Sequence, residues 1–147
     1  MNNNTSTDIF WFTRHGEYGF LSNFYRSPID INKLTYLTVE HWYQSQKSNL
    51  LEEREMIRNL ATPKEAKFAG YHIVLRHDWE SIKEEIMLIG IREKFTQHQD
   101  LLGKLLKTYT KKLHEDSPWD KYWGFANGKG LDRLGKLLMQ VREEFSN

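Results

Sequence analysis

A glutamate and a lysine seven residues apart, Glu40 and Lys47, are the first candidates for chemistry in this sequence. At about 100° per helical residue, the two side chains lie nearly in line along one edge of a helix. A carboxylate can accept or donate a proton during a reaction, and a lysine amine can attack an electrophilic carbon when it is partly neutral. Burial beside an aromatic face favours the neutral amine, whereas a nearby carboxylate opposes it. The alternative is a structural salt bridge between the two side chains.

The helix that would carry both residues begins at Thr38, whose hydroxyl can accept a hydrogen bond from a first-turn amide. A mostly apolar stripe follows at helical spacing and consists of Val39, Trp42, Tyr43, Gln46 and Leu50. Gln46 within this stripe is an uncompensated amide unless it meets a partner or a ligand. A satisfied buried glutamine beside a surface ion pair is the alternative.

Aromatic residues make up 14% of the chain and include five Trp and seven Tyr. Core packing is the first explanation, and a pocket that stacks a base or another flat ligand is the sharper hypothesis. Trp79 is one candidate for such a pocket because it begins a helix directly after Asp78, a residue that can cap that helix. The alternative for Trp79 is that it only fills the core.

Composition excludes several classes of site. The 147 residues include no cysteine, so disulfides, a thiolate zinc site and a cysteine nucleophile are ruled out, and we expect a cytoplasmic protein. A net charge of +1 with acids and bases interspersed argues against a dedicated polyanion-binding surface. No apolar run is long enough to span a bilayer. We expect no membrane association and see no sign of an obligate protein partner.

Common ligand motifs are also missing. The sequence has no phosphate-loop lysine signature, no dinucleotide glycine fingerprint and no paired-histidine zinc motif. His72 and His77 lack a third ligand in view, so no metal or other cofactor is predicted. Gly124, Gly128 and Gly130 resemble a loop that could hold a phosphate on its amides, but a simple turn explains them better.

The first part of the chain predicts a small antiparallel sheet. Residues 1–8 are expected to form a disordered tail, and residues 9–147 one domain. Ile9-Phe-Trp-Phe12 suggests a strand, and apolar residues on both sides of Asn32-Lys33 fit a hairpin.

From Thr38 onward the pattern is mostly helical. Thr62-Pro-Lys-Glu65 combines an N-cap, a first-turn proline and a capping-box glutamate. Further helices are predicted from Asp78-Trp79, over residues 99–107 and after Leu131, whereas Lys111 to Asp120 is predicted to be loop. The predicted fold class is therefore α+β, rich in helix.

Seven stretches together are more specific than any single motif. They are Phe20-Leu-Ser-Asn-Phe24, Thr38-Val-Glu-His41 with Gln46-Lys47, Ala61-Thr-Pro-Lys-Glu-Ala-Lys67, Asp78-Trp79 before Met87, Lys94-Phe95, Ser117-Pro with Asp120 and Tyr122-Trp-Gly124, and Leu134-Gly-Lys-Leu-Leu-Met139 with Val141-Arg142. In order and spacing they resemble the NADAR family, also called YbiA-like, from about Phe10 to Arg142.

The resemblance implies an N-glycosidase that cleaves the bond between a ribose C1 and a nitrogen. Its implied substrates are ADP-ribosylated guanine, free or within nucleic acid, related ADP-ribose or NAD-like nucleotides, and early riboflavin-pathway intermediates. Glu40 then matches the acid/base, Lys47 a reactive lysine that can form a Schiff base, and Asp120 a residue for a ribose hydroxyl or charge on the sugar. The implied substrate-binding residues are Asn23, Phe24, Tyr43, Gln46, Trp79, Trp123 and Gly124.

Two positions depart from the family pattern. The family usually has a glycine shortly after Trp-Gly, where this chain has Phe125-Ala126, and an asparagine in place of Asp132. An added negative charge near a phosphate loop is unfavourable, which weakens the expected pyrophosphate contact. Two other functions stay open: a nucleotide or ADP-ribose reader without turnover, and a protein-interaction domain whose aromatic residues only form a core.

Overall fold

The computed structural model describes residues 7–146 and confirms the predicted α+β class. The elements are β1 (Ile9–Trp11), β2 (Ile29–Ile31), β3 (Leu34–Tyr36), α1 (Val39–Ser45), α2 (Leu51–Arg58), α3 (Pro63–Ala69), α4 (Trp79–Gln97), α5 (Gln99–Leu106), β4 (Leu113–Glu115) and α6 (Arg133–Phe145). They fall into two compact units, which are described separately: a central unit of residues 23–99, and a terminal unit that joins residues 7–22 to residues 100–146. No helix in these described residues is long and apolar enough to cross a membrane.

The central unit opens with the predicted hairpin. β2 and β3 pair antiparallel, with Ile29 opposite Tyr36. Asn32 and Lys33 at its tip have φ values of 52° and 69°, as a two-residue turn of the mirror-image type requires. Asn tolerates this left-handed backbone well, which explains why the turn forms without a glycine.

Helix α1 forms the core of the central unit. All seven of its residues are buried, and it packs against α2, α3, α4 and β3. Trp42 donates its indole N–H to the carbonyl of Ile86 at 2.8 Å. Gly90 of α4 permits this approach, because a Cβ at that position would lie 2.6 Å from Trp42 Cδ1. The central helix therefore has no solvent-facing side on which a charge would ordinarily lie.

The terminal unit corrects two predictions, the place of the first strand in an antiparallel sheet and the loop over residues 111–120. β1 pairs with β4 in parallel, Ile9 opposite Leu113, so the chain has a second two-stranded sheet and the predicted loop over residues 111–120 contains a strand. Helix α6 packs on β4 at Gly135, where a Cβ would lie only 2.0 Å from the Leu113 carbonyl oxygen. Residues 1–6 of the predicted tail lie outside the described residues, and Asp8 within it contacts His114.

Candidate active site

The start of α1 is fixed by Thr38, as the sequence predicts. Its Oγ1 accepts a hydrogen bond from the backbone N–H of His41 at 3.1 Å and lies 2.8 Å from His41 Nδ1. The other ring nitrogen of His41 lies 3.0 Å from the carbonyl oxygen of Leu60. Burial lowers the pKa of His41 below its usual value, so the ring is neutral at pH 7. These contacts hold the first turn, which carries Glu40.

Glu40 is a buried carboxylic acid, 7% exposed, in the first turn of α1. Its backbone N–H donates to the carbonyl of Asn23 at 3.1 Å, which ties the helix start to the segment before the hairpin. Its Oε2 accepts a 2.7 Å hydrogen bond from Nε2 of Gln44, one turn later. The positive end of the helix dipole also favours the ionised carboxylate.

Lys47 lies just beyond α1, which is shorter than predicted and ends at Ser45. Its backbone N–H still donates to the Gln44 carbonyl at 3.2 Å, so a final tight turn carries the side chain. The half-buried lysine places Nζ 5.5 Å from the ring centroid of Tyr43 and 5.9 Å from that of Tyr71. Such ring faces favour the ammonium form, so a base must take a proton before this amine can attack.

Arg76, which is distant in the chain, binds the two residues that follow α1, Gln46 and Lys47. Its backbone N–H donates to the Lys47 carbonyl at 2.8 Å, and its guanidinium reaches the Gln46 carbonyl at 3.4 Å. The same guanidinium binds both carboxylate oxygens of Asp78 at 2.7 and 3.2 Å. The prediction that the Asp78 side chain caps α4 is therefore wrong, although α4 begins at Trp79 as predicted.

Four of the other predicted residues, Tyr43, Trp79, Asn23 and Phe24, also lie in the central unit. The Trp79 and Tyr43 ring centroids are 5.0 Å apart, and Trp79 is 4% exposed. Asn23 is buried and donates from Nδ2 to the sulfur of Met87 at 3.4 Å. Lys67 Nζ lies 6.0 Å from the ring centroid of Phe24. Tyr43, Trp79 and Lys47 thus form one cluster around the end of α1.

Gln46 is buried, as the predicted stripe requires, and its amide donates to Ser45 Oγ at 3.3 Å. Leu50 does not continue the stripe because the helix has already ended, and it is 46% exposed.

The other three predicted residues, Asp120, Trp123 and Gly124, lie in the terminal unit. Asp120 Oδ1 accepts hydrogen bonds from the backbone N–H groups of Tyr122 and Trp123, at 3.0 and 2.9 Å. Trp123 is buried. A Cβ on Gly124 would lie 2.8 Å from the Asp120 carbonyl oxygen, so close packing explains this glycine. The local turn therefore fixes the Asp120 carboxylate.

The glycines after Gly124 form a turn, the simpler of the two readings. Asn127 and Gly128 have positive φ values of 55° and 73°, and Ala126 pairs with Lys129 across them.

Asp132, a departure from the family pattern, is buried and contacts His114. Its Oδ2 lies 2.7 Å from His114 Nδ1, and Asp8 Oδ2 lies 3.0 Å from the other ring nitrogen. Burial raises the pKa of Asp132 above its usual value, while His114 partly opposes that rise. The Asp132 carboxyl group therefore contacts His114 inside the protein, between β1, β4 and α6.

The sequence analysis missed two buried residues that contact candidate or variant positions: Gln44, which bonds to Glu40, and His114, which contacts Asp132. Gln44 lies four residues after Glu40, a spacing at which side chains on a helix meet, so the signal was present. His114 had no such signal, because it depends on the unpredicted strand β4. No cluster of three or more His, Asp or Glu residues within residues 7–146 is placed to hold a metal.

Comparison with known proteins places this geometry in a family. The sequence model of the NADAR domain matches residues 9–146. N-glycosidase YbiA of Escherichia coli K12 is 41% identical over 143 residues, covering 95% of this chain and 89% of that protein. An N-glycosidase of Nostoc punctiforme is 41% identical over 145 residues, covering 95% and 93%.

A riboflavin biosynthesis protein of Vibrio vulnificus is 35% identical over 139 residues, which cover 92% of this chain and 38% of that protein. The NMR structure of E. coli YbiA matches with a TM-score of 0.88 at 39% identity, covering 96% of this chain and 86% of that one. The fold and these similarities define an α+β enzyme of the N-glycosidase class, a hydrolase of N-glycosidic bonds. The chain belongs to the NADAR family, as its sequence predicts.

Proposed function

We propose that this protein hydrolyses the bond between ribose C1 and a base nitrogen in ADP-ribosylated guanine or a related ADP-ribose conjugate. The observation that carries the proposal is Glu40, a buried carboxylate held by an amide at the start of the central helix, with Lys47 beyond the end of that helix. Similarity to N-glycosidases over nearly the whole chain supports the same class of reaction. We also propose a cytoplasmic location, where such nucleotides are found.

The proposed reaction begins with a proton transfer. Glu40 takes a proton from the Lys47 ammonium, and the resulting amine attacks C1. The C1–N bond breaks, its electron pair moves to the base nitrogen, and that nitrogen takes the proton from Glu40. The leaving base is thereby neutral, and the sugar is bound to Lys47.

Hydrolysis then regenerates the enzyme. The ring C1–O bond breaks, and the ring oxygen takes a proton from the lysine nitrogen, which leaves a protonated Schiff base. Water adds its oxygen to C1, and Lys47 leaves as the ammonium. If Lys47 does not attack, the oxygen of a water molecule attacks C1, the C1–N bond breaks with its electron pair on the base nitrogen, and Glu40 takes a proton from the water and gives one to that nitrogen.

The surrounding residues have supporting roles in this proposal. Tyr43, Trp79, Asn23, Phe24 and Gln46 would line the pocket in the central unit. In the terminal unit, Asp120 would bind a ribose hydroxyl or stabilise positive charge on the sugar, with Trp123 and Gly124 as further contacts. The paired backbone N–H donors on Asp120 Oδ1 support a carboxylate that is fixed in direction.

A turnover screen tests the proposal. The substrates are ADP-ribosylated guanine, NAD, ADP-ribose and early riboflavin-pathway intermediates, and the readouts are released base and released reducing sugar. We expect both products from the ADP-ribosylated guanine and a loss of at least about a hundredfold in Glu40→Gln, which removes the proton-transfer group. Binding without product from any substrate would instead indicate a nucleotide reader.

Riboflavin-pathway intermediates are the second candidate substrates. The Vibrio relative, named as a riboflavin biosynthesis protein, favours them. Turnover of those intermediates and not of ADP-ribosylated guanine would move the proposal to this substrate class.

A further inference from the structure

Gln44 makes the hydrogen bond that fixes the proposed acid/base. Its Nε2 donates to Glu40 Oε2 at 2.7 Å, and the two side chains share one face of α1 because they are four residues apart. Gln44 is 4% exposed and Glu40 is 7% exposed, so water has little access to either. A buried carboxylate requires a donor to remain ionised, and Gln44 supplies one.

The oxygen of the Gln44 amide helps to decide whether Gln44 is there for packing or for its hydrogen bond to Glu40. Its Oε1 is buried and accepts no hydrogen bond from any residue between 7 and 146. It points at Gly70, where a Cβ would lie 1.8 Å away. A buried acceptor without a partner costs free energy, and an apolar side chain of the same length would avoid that cost. Packing therefore does not explain Gln44, whereas its bond to Glu40 does.

Gly70 supports the same conclusion from the facing helix. It follows α3 with a φ of −62°, a conformation that any residue adopts, so its backbone does not require glycine. A Cβ at this position would instead displace the Gln44 amide, so the observed placement of that amide depends on the missing side chain. Helices α1 and α3 are thus fitted together around this one side chain.

We propose that Gln44 is a positioning residue that keeps the Glu40 carboxylate ionised and correctly oriented for proton transfer. The inference rests on the proposed function of Glu40. A hydrogen bond to the charged form stabilises that form, so losing it makes Glu40 bind its proton more tightly. With one oxygen held by Gln44, the direction of the other oxygen is also set.

Other titratable groups surround α1, and the test must separate them from Glu40. His41 is neutral and fixed at both ring nitrogens, and Arg58 of α2 pairs with Glu55 at 2.6 Å. The remaining ionisable groups on α1, on the elements that pack against it, or next to them include Arg26, Tyr36, Tyr43, Lys47, Glu52, Glu53, Arg54, Lys64, Glu65, Lys67, Tyr71, Arg76, His77, Asp78, and the charged residues of α4, including the buried Lys94. None of these residues is itself substituted in a Gln44 variant.

The first test compares Gln44→Met with Gln97→Met. Met keeps the length and packing of Gln44 but cannot donate. Gln97 serves as the control because it donates to Glu93 at the same 2.7 Å and the same four-residue spacing, on the exposed side of α4, and its further bonds to the Asp30 backbone do not involve α1. We expect the acid limb of the kcat/KM profile to move to higher pH in Gln44→Met, with a fall of about tenfold at neutral pH. Gln97→Met should leave the profile unchanged.

A second variant, Gln44→Glu, tests the proposal if Gln44→Met does not fold. A second readout, direct titration of Glu40, does not depend on turnover. Gln44→Glu places two carboxyl groups at hydrogen-bond distance, so they must share a proton and the acid limb should move further in the same direction. The Glu40 carboxyl can also be titrated directly by carbon-13 NMR, its signal assigned by its loss in Glu40→Gln.

The two readouts distinguish the possible failures. If wild-type protein turns over no nucleotide but the Glu40 titration moves up in pH in Gln44→Met, the proposed function fails and the positioning role stands. If wild-type protein is active and both the rate profile and the titration are unchanged in Gln44→Met and Gln44→Glu, the positioning role is overturned.

Discussion

The indole ring of Trp79 lies 5.0 Å from the phenol ring of Tyr43, centroid to centroid, at an angle of 60°. The Tyr43 ring centroid also lies 5.5 Å from the Lys47 amine, closer than that of Tyr71. The first residue of α4 is therefore part of the cluster that surrounds the proposed nucleophile. Trp79 can therefore both fill the core and shape the pocket, since a ring that packs against Tyr43 also shapes any pocket that Tyr43 lines.

Substitution of Trp79 separates a pocket wall from core filling. Trp79→Ala should lower the free energy of unfolding by about 3–5 kcal/mol, because Trp79 is buried. Trp79→Phe keeps an aromatic face against Tyr43 and should lose much less activity than Trp79→Ala. Steady-state kinetics below the melting temperature of each variant provide the measurement. If both variants lose only stability and turn over normally, Trp79 belongs to the core alone.

Buried Lys94 predicts a dependence of stability on pH. It is 2% exposed, and burial lowers its pKa from the usual lysine value to about 7. Between about pH 7 and the usual lysine range, the unfolded chain binds a proton that the native protein does not, so stability rises with pH across that window. Below about pH 7 the native protein carries the buried Lys94 charge, and the full loss of folding stability that this burial causes is present.

Lys94→Met should therefore raise the free energy of unfolding more at about pH 6 than at about pH 9. Urea denaturation at the two values measures the difference. Lys104→Met is the control, because Lys104 also lies over an aromatic ring, Phe20, but is exposed. A stabilisation that is equal at both pH values would show that Lys94 does not titrate in this window.

Asp132→Asn tests the departure from the family pattern. Burial raises the pKa of Asp132, so stability falls as pH rises from the usual aspartate range through that raised value, and the cost is fully present above it. Asn keeps an oxygen for His114 and tolerates the left-handed backbone at φ 57°. The variant should be more stable than wild type at neutral pH and gain less in acid.

The exposed Asp116 provides the control, as Asp116→Asn. Chemical denaturation at several pH values is the measurement. A loss of stability in Asp132→Asn at neutral pH would mean that the contact with His114 outweighs the cost of burial.

Salt dependence tests the kind of ligand. The chain has 21 basic and 20 acidic side chains, so we expect recognition of a nucleotide or a single modified base and not of a duplex backbone. Affinity for such a ligand should change little with salt. A steep fall of affinity for unmodified DNA with added salt, of the kind that reports about six or more phosphate contacts, would contradict this expectation.

Local patterns predicted most of the fold, and long-range contacts account for what they missed. Thr38 and Thr62 cap α1 and α3 as expected, because each cap depends only on the next few residues. Helix α1 ends earlier than its apolar stripe suggests, and the distant Arg76 binds the carbonyls of Gln46 and Lys47, the two residues that follow it. β4 lies in a charged stretch without periodicity and forms by pairing with β1, more than one hundred residues earlier.

The candidate site followed the same division. Helical spacing is enough to predict Glu40 and Lys47 as candidates, since both belong to one short segment. The four-residue spacing of Gln44 from Glu40 was visible in the sequence, but the burial of Gln44 and the approach of its amide to Gly70 depend on how α1 packs on α3, and no pattern around Gln44 reveals them.

The most direct test of the proposed mechanism is to trap the sugar on Lys47. Borohydride added during turnover should reduce the Schiff base and leave the sugar fragment on one lysine, which peptide mapping should identify as Lys47. Lys47→Arg keeps the positive charge but stays protonated, so turnover and adduct should be lost while the fold survives. Lys67→Arg, on the neighbouring helix, should still form the adduct. Full activity in Lys47→Arg, or an adduct on Lys67, would contradict the assignment of Lys47; no adduct in an enzyme that still requires Glu40 would show direct attack by water.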